Sequence, residues 1–325
     1  MSSTQAAYSK ALFGLDPASY AQHAVHTGER SYHETNCYSD IIIELLHARG
    51  DEPLAAMGVV LRMDFEGDQW TFFKPAPQDL ERLFGVDIHE MQPYRSLPAQ
   101  IAEQLERGRT VIVEVDSWYL PDTHATSYRR EHVKSSVIPE AIDTGGERLR
   151  YFHNTSLHEL DGEDYRGVFR LGREFSGDVL PPYAELARFD AGRRLEGAEL
   201  RAAALELAAD HLAHRPATNP FTRFGSRLSQ DFQVLLDGDA KLYHDYAFAT
   251  VRMAGSAFEI GASYVDWLLG ERGAPAATAM LRIVAGCKVL SFKLARRRPF
   301  DPAPALADLA VAWDEAMGSL DAAIG

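Results

Sequence analysis

Cysteine is almost absent from this sequence: two residues, Cys37 and Cys287, in a chain of 325. Two thiols so far apart give no disulfide framework. A reduced, cytoplasmic protein is the expectation, one in which a thiol stays free to react. Basic residues are also in deficit, 33 Lys and Arg against 47 Asp and Glu for a net charge of −14, which argues against nucleic acid as a partner. The N-terminus, MSSTQAAYSKALFGLD, has no basic segment followed by an apolar one, so no secretory signal is read there. No apolar run approaches the roughly 18 residues needed to cross a bilayer, and no membrane partner is expected. A glycine-rich phosphate loop is missing, because DTGGER lacks the lysine that such a loop needs. His33 and Cys37 stand four apart in HETNC, but neither a second Cys pair nor an H-E-x-x-H motif accompanies them. The expectation is therefore no metal and no bound cofactor.

What is there falls into two parts of different character. Hydrophobic residues at 46% and charged residues at 25% suit a globular protein, and the length suits one large domain or two ordinary ones. From about 54 to 170, strand-like and helix-like runs alternate. QWTFFKPA reads as a strand, PQDLERLFG and LPAQIAEQLERG as helices closed by glycine, and the opening of TVIVEVDSWYLP as a buried strand. SSVIPEAIDTGGERLRYFHNT reads as two strands joined by a DTGG turn, and VFRLG as one strand more. Beyond GDVLPPYAEL, five Ala- and Leu-rich segments predict an α-helical bundle. The Gly-Pro-rich segment between them predicts an α+β domain over 1–178 and a helical bundle or lid over 179–325.

Cys37 directly precedes the apolar run SDIIIELLHA, which predicts a helix of about 12 residues ending before Gly50. At a first turn, unpaired backbone N–H groups and the positive end of the helix dipole favour a nucleophilic thiolate and can stabilise an oxyanion. The position equally suits a small buried hydrophobe. A thiolate nucleophile needs an imidazole and a group that orients it. The chain has 12 histidines. The informative one is His132 in SYRREHVKSS, just before a predicted strand, with Asn154 in YFHNT at the end of the next. Cys, His and Asn in that chain order form a papain-like arrangement. The loop VEVDSWYLPDTHATSYRREH gathers Asp116, Trp118, Tyr119, His124 and Tyr128 after a buried strand, and reads as a substrate-binding wall. KLARRRPFDP, the concentrated basic stretch, suits a helix C-terminus, or a dock for an acidic partner.

The segments ETNCYSD, MDFEGDQWTFFK, VEVDSWYLPDT, YRREHVKSS and YFHN resemble a bacterial family known as domain of unknown function 1839. More distantly, the N-terminal half is similar to the N-terminal domain of butirosin biosynthesis protein H and to papain-like double-glycine peptidases. The resemblance implies a papain-like cysteine-protease-type fold with Cys37 as nucleophile, His132 as base and Asn154 as orienter. It further implies transfer of an acyl or aminoacyl group from the phosphopantetheine thioester of an acyl or peptidyl carrier protein to a small-molecule amine, in a specialised biosynthetic pathway. Papain-like enzymes often place a Gln before the cysteine. Positions 30–36 read RSYHETN, so the oxyanion donor passes to Asn36 or to the Cys37 backbone N–H. An amidase or peptidase, and a non-catalytic binding protein on the same fold, are the alternatives.

Overall fold

A computed structural model describes residues 8–28, 30–32, 36–172 and 180–325. The strands are β1 (Lys10–Ala11), β2 (Asp87–Met91), β3 (Thr110–Asp116), β4 (Lys134–Asp143), β5 (Arg148–His153), β6 (Ser156–Asp161) and β7 (Ala184–Arg188). The helices of the first half are α1 (Ala24–Thr27), α2 (Cys37–Ala48), α3 (Pro77–Phe84), α4 (Leu97–Glu106) and α5 (Gly162–Val168). Those of the second half are α6 (Gly197–Ala213), α7 (Pro220–Asp237), α8 (Ala240–Ala247), α9 (Met253–Leu269), α10 (Ala274–Ala295) and α11 (Ala303–Ile324). The chain divides into two compact units, each discontinuous in sequence. One comprises Met1–His23, Cys37–Asp51 and Leu80–Arg194; the other comprises Ala24–Asn36, Glu52–Asp79 and Leu195–Gly325.

The first unit is built on an antiparallel sheet of order β2-β7-β3-β4-β5-β6, with β1 added to β4. Strand β3, TVIVEVD, is β-branched and almost wholly buried, as a central strand requires. One face of the sheet carries Val111, Val113, Val115, Val137 and Tyr151, and packs with Leu97, Ile101 and Leu105 of α4 and with Tyr165 and Val168 of α5. On the opposite face α2 lies against β4 and β5, burying Ile41, Ile42, Ile43, Leu45 and Leu46. A bulge between Pro139 and Ala141 turns the buried Glu140 toward the N-terminal segment. There its Oε1 accepts the backbone N–H groups of Phe13, Gly14 and Leu15 at 3.1, 2.6 and 3.1 Å. A buried carboxylate held by several donors is tolerated where a lone one is not.

The second unit is helical, apart from an isolated bridge between Phe65 and Trp70. Helix α9 is its central element, with buried residues on almost every side, and packs against α10 and the 3-10 helix Pro53–Arg62. Trp70 anchors an aromatic cluster, its ring centroid lying 4.6 Å from that of Phe221 and 5.9 Å from that of Phe65. By length and composition alone, the continuous helical run Ala240–Ala295 contains an 18-residue window apolar enough to cross a membrane, with a mean hydropathy of 1.3.

Several sequence expectations are met and several are corrected. The helices at PQDLERLFG and LPAQIAEQLERG, the strand at TVIVEVD and the DTGG hairpin form as expected. QWTFFKPA makes no ladder strand; the backbone N–H of Trp70 donates instead to the Ala249 carbonyl, and Trp70 and Phe73 are buried in the helical unit while Phe72 stays exposed. VFRLG is the end of α5 and a turn, following the acidic first turn Gly162–Asp164. The expected boundary at 178/179 lies outside the described residues. Residues beyond it still belong to the sheet, because β7 inserts between β2 and β3, and Glu52–Asp79 belongs with the helices.

Gly167 of α5 is placed so that an added Cβ would run into the ring of the buried Tyr119. Gly167→Ala is therefore expected to cost about 1–3 kcal/mol, read as a lower urea midpoint with an unchanged denaturant slope.

Candidate active site

The connection from β3 to β4 has only short 3-10 turns, and two acidic residues hold it in place, each on an imidazole. Asp116 ends β3 and caps the turn Ser117–Tyr119: its Oδ1 accepts the Trp118 N–H at 3.0 Å. Its Oδ2 faces Nδ1 of His132 at 2.6 Å. The Trp118 ring stacks on that imidazole, with centroids 4.6 Å apart and planes 9° from parallel. His132 keeps 65% of its side chain exposed, so an outside molecule can reach it. Strand alternation places Ile112, Glu114 and Asp116 on one face. Ile112 is paired with Glu185, whose Oε2 accepts the Tyr38 hydroxyl of α2 at 2.6 Å. Asp116 therefore points to the sheet face that α2 covers.

The second pair is buried. Asp122, in the turn Pro121–Thr123, accepts the Tyr151 hydroxyl at Oδ1 (2.5 Å), while Oδ2 meets Nδ1 of His153 in a short hydrogen bond. Nε2 of His153 is 2.6 Å from the Ser135 hydroxyl, and His158 Nε2 lies 4.0 Å from the same carboxylate. Val115 is paired with Ser135 and Asp116 with Lys134, so Ser135 and His153 occupy the face opposite Asp116. Burial by itself would raise the Asp122 carboxyl. The hydrogen bond and charge of His153, with those of His158 and Tyr151, outweigh it and hold the group down at about 2. Burial, with the neighbouring carboxylate, pushes the Tyr151 phenol well above its ordinary value. Farther along the connection, Tyr128 and Arg129 both bond Asp164 of α5, at 2.9 and 2.6 Å.

Cys37 is the first residue of α2, as expected, and is half-buried. Among the described residues its thiol has no hydrogen-bond partner, and His132 is bonded to Asp116 alone. Asn154 does not orient His132. The register pairs Ile138 with Phe152, which places Asn154 level with Ser136 and leaves His132 four residues, about 13 Å, farther along. Asn154 instead takes φ 48° in the tight β5–β6 loop, a left-handed conformation that asparagine tolerates. Asn36 is fully buried and its amide donates to the Phe73 carbonyl, so that amide is already engaged. Of the expected binding wall, Tyr119 is a core residue and His124 is exposed. His33 lies outside the described residues. Among the described residues no group of three or more His, Cys, Asp or Glu is placed to hold a metal. Two surface grooves lie elsewhere, one lined by Lys10, Glu103 and Glu147, the other by Tyr94, Phe169 and Leu180.

Family models match the chain over most of its length: the DUF1839 N-terminal domain over residues 21–189 and the DUF1839 C-terminal domain over 197–322. The chain belongs to the DUF1839 family. No curated protein matches it. The DUF1839 N-terminal match contains Cys37 and both acid–imidazole pairs. Asp116 stood in the sequence only as part of an aromatic wall, and His153 as a neighbour of Asn154. The signal for both was alternation: side chains two apart on paired strands share a face, and that rule selects the partners once the register is fixed.

The Asp122 carboxyl lies below its ordinary value of 3.8, so the unfolded chain binds its proton first. The stability it contributes is complete above about pH 4 and is lost as pH falls toward 2, on the order of 2 kcal/mol in all. Asp122→Ala is expected to lower stability at pH 7 by about 3–5 kcal/mol, because Tyr151 and His153 lose a buried acceptor. The same variant is expected to flatten the acid limb of the stability curve, measured by urea titration from pH 2 to pH 7.

Proposed function

We propose that this DUF1839 chain is a cysteine-dependent acyltransferase on a papain-like α+β unit, with Cys37 as nucleophile and His132 as base. The observation that carries the reading is the Asp116–His132 pair, 2.6 Å apart under the Trp118 ring, on the sheet face covered by the helix that begins with Cys37. Asp116 takes the role that the resemblance gave to Asn154. A carboxylate on Nδ1 fixes the tautomer that leaves Nε2 free for proton transfer, and stabilises the imidazolium more than a neutral amide does.

In this mechanism His132 draws the proton from the Cys37 thiol as the sulfur attacks the carbonyl carbon of a thioester. The tetrahedral intermediate collapses, the carbon–sulfur bond of the donor breaks, and the departing thiolate takes the proton from His132. The acyl group then rests on Cys37. An amine attacks that thioester, His132 takes the amine proton, and Cys37 leaves as a thiolate that regains the proton. The donor class is the phosphopantetheine thioester of a carrier protein and the acceptor a small amine, in a cytoplasmic biosynthetic pathway. Backbone N–H groups of the first α2 turn, which have no intrahelical acceptor, serve the oxyanion. The exposure of His132 favours a second reading, hydrolysis of an amide or thioester with water as acceptor.

Mass spectrometry after incubation with an acyl N-acetylcysteamine thioester tests both. An acyl adduct on Cys37, discharged by amines faster than by water, is the expected result; discharge by water alone favours the hydrolase. Cys37→Ala removes the adduct. Asp116→Asn slows its formation by about 10²-fold or more, while Asn154→Gly, which keeps the left-handed turn, changes it by less than about threefold. A binding protein without turnover gives no adduct with any acyl donor, and that result overturns both enzymatic readings.

A further inference from the structure

Helix α10 runs through the part of the chain where the charge reverses. From Ala274 to Phe300 there is no Asp or Glu, but there are six cations: Arg282, Lys288, Lys293, Arg296, Arg297 and Arg298. With a total of −14, this leaves −20 on the rest of the chain. Arg282 is neutralised by Glu315 of α11. Among the described residues the other five meet no carboxylate. Arg296 lies over the Phe292 ring at 4.2 Å, Lys293 over the Phe300 ring at 5.4 Å, and Arg297 donates to the Gly238 carbonyl at 2.7 Å. One or two cations suffice to complement a helix C-terminus. Five unpaired ones in a chain of strongly negative charge exceed that need.

The same helix exposes large apolar side chains. Leu281 is 52% exposed, Val289 51% and Phe292 58%. Leu281, Ala285, Lys288 and Phe292 follow one another at spacings of four, three and four, which is the seam of a helix that packs on another helix. Val289 and Arg296 flank that seam. A helix that lies on a membrane segregates its apolar and basic faces, whereas here Lys288 falls within the apolar line and Arg296 covers Phe292. This mixture suits a protein surface with apolar positions and carboxylates interleaved at helical spacing. An acidic protein is repelled by the chain's net charge and attracted by this carboxylate-free stretch, so the patch also orients the approach.

We infer that the exposed face of α10 from Leu281 to Arg298 is the docking surface for an acidic helix of the carrier protein that delivers the acyl group. The identity of the partner rests on the acyl-transfer reading; the existence of the surface does not.

The test uses the full-length Cys37→Ala chain, which has no nucleophile at that position, and a purified acyl carrier protein with a fluorophore on its phosphopantetheine thiol, followed by anisotropy. Saturable binding that weakens tenfold or more in Phe292→Glu and in Lys288→Glu/Arg296→Glu, and on raising NaCl from 50 to 500 mM, supports the proposal. Circular dichroism confirms that these exposed substitutions leave the helices intact. Binding that is indifferent to the substitutions, or no binding, overturns it. Capture of phosphatidylglycerol vesicles without carrier binding overturns it in favour of a membrane surface. Self-association in sedimentation velocity that the same substitutions abolish overturns it in favour of a second copy. The small N-acetylcysteamine donor needs no docking. Acylation of Cys37 by that donor without α10-dependent carrier binding overturns the docking surface alone, and the converse result overturns the acyl-transfer reading alone.

Discussion

One buried carboxylate, Asp122, holds together the part of the sheet unit from which the chemistry is argued. The connection between β3 and β4 has no strand of its own, and its buried apolar side chains are Tyr119 and Leu120. Its position depends on polar ties. A carboxylate out of water is costly unless its oxygens are filled, and here Tyr151 and His153, both on β5, fill them. The loop is thereby fixed to the strand next to β4, and Asp116 and Trp118, on the same connection, are brought to bear on His132. Polar ties of this kind favour one arrangement, because breaking any of them leaves a buried donor or acceptor without its partner.

The two acid–imidazole pairs are chemically similar and physically opposite. His153 is enclosed, with both ring nitrogens occupied, by Asp122 on one side and Ser135 on the other. An imidazole with no free nitrogen and no access has nothing left to exchange with a substrate, and it serves the fold. His132 has one nitrogen on Asp116 and the other without a partner among the described residues, with a flat aromatic ring stacked on it. An imidazole so held can give and take a proton without losing its orientation. Spacing along the chain does not distinguish these two histidines; their sheet faces do.

Much of the local structure was legible. The helix that starts at Cys37 announces itself by an apolar run closed by glycine, and the β4–β5 hairpin by its DTGG turn. What failed was the geometry across strands. Asn154 looked like a partner for His132 because it closes the neighbouring strand. The register, shifted by the bulge at Glu140, was invisible in one sequence, and turn chemistry explains the asparagine better. The short strands β2 and β7 escaped for a related reason. DIHEM and AELAR carry too little β-branched content to stand out; AELAR becomes a strand because β3 offers an edge to pair with, and DIHEM because β7 then offers the next. Asp116 was legible as a residue but not as a partner, since it and His132 are joined by a ladder and not by proximity along the chain.

The interleaving of the two units bears on the order in which a ribosome presents them. The segment Glu52–Asp79, with Leu54, Met57, Val60, Phe65, Trp70 and Phe73 all buried in the finished protein, emerges early. The helices that complete its unit begin only at Leu195. For the interval in which more than a hundred residues are translated, an apolar stretch waits without its partners, the circumstance in which nascent chains engage chaperones. The boundary between the two family matches, at 189 and 197, therefore separates stretches of sequence and not independently folding pieces: a gene cut there would strand the aromatic cluster of Trp70 on the wrong side.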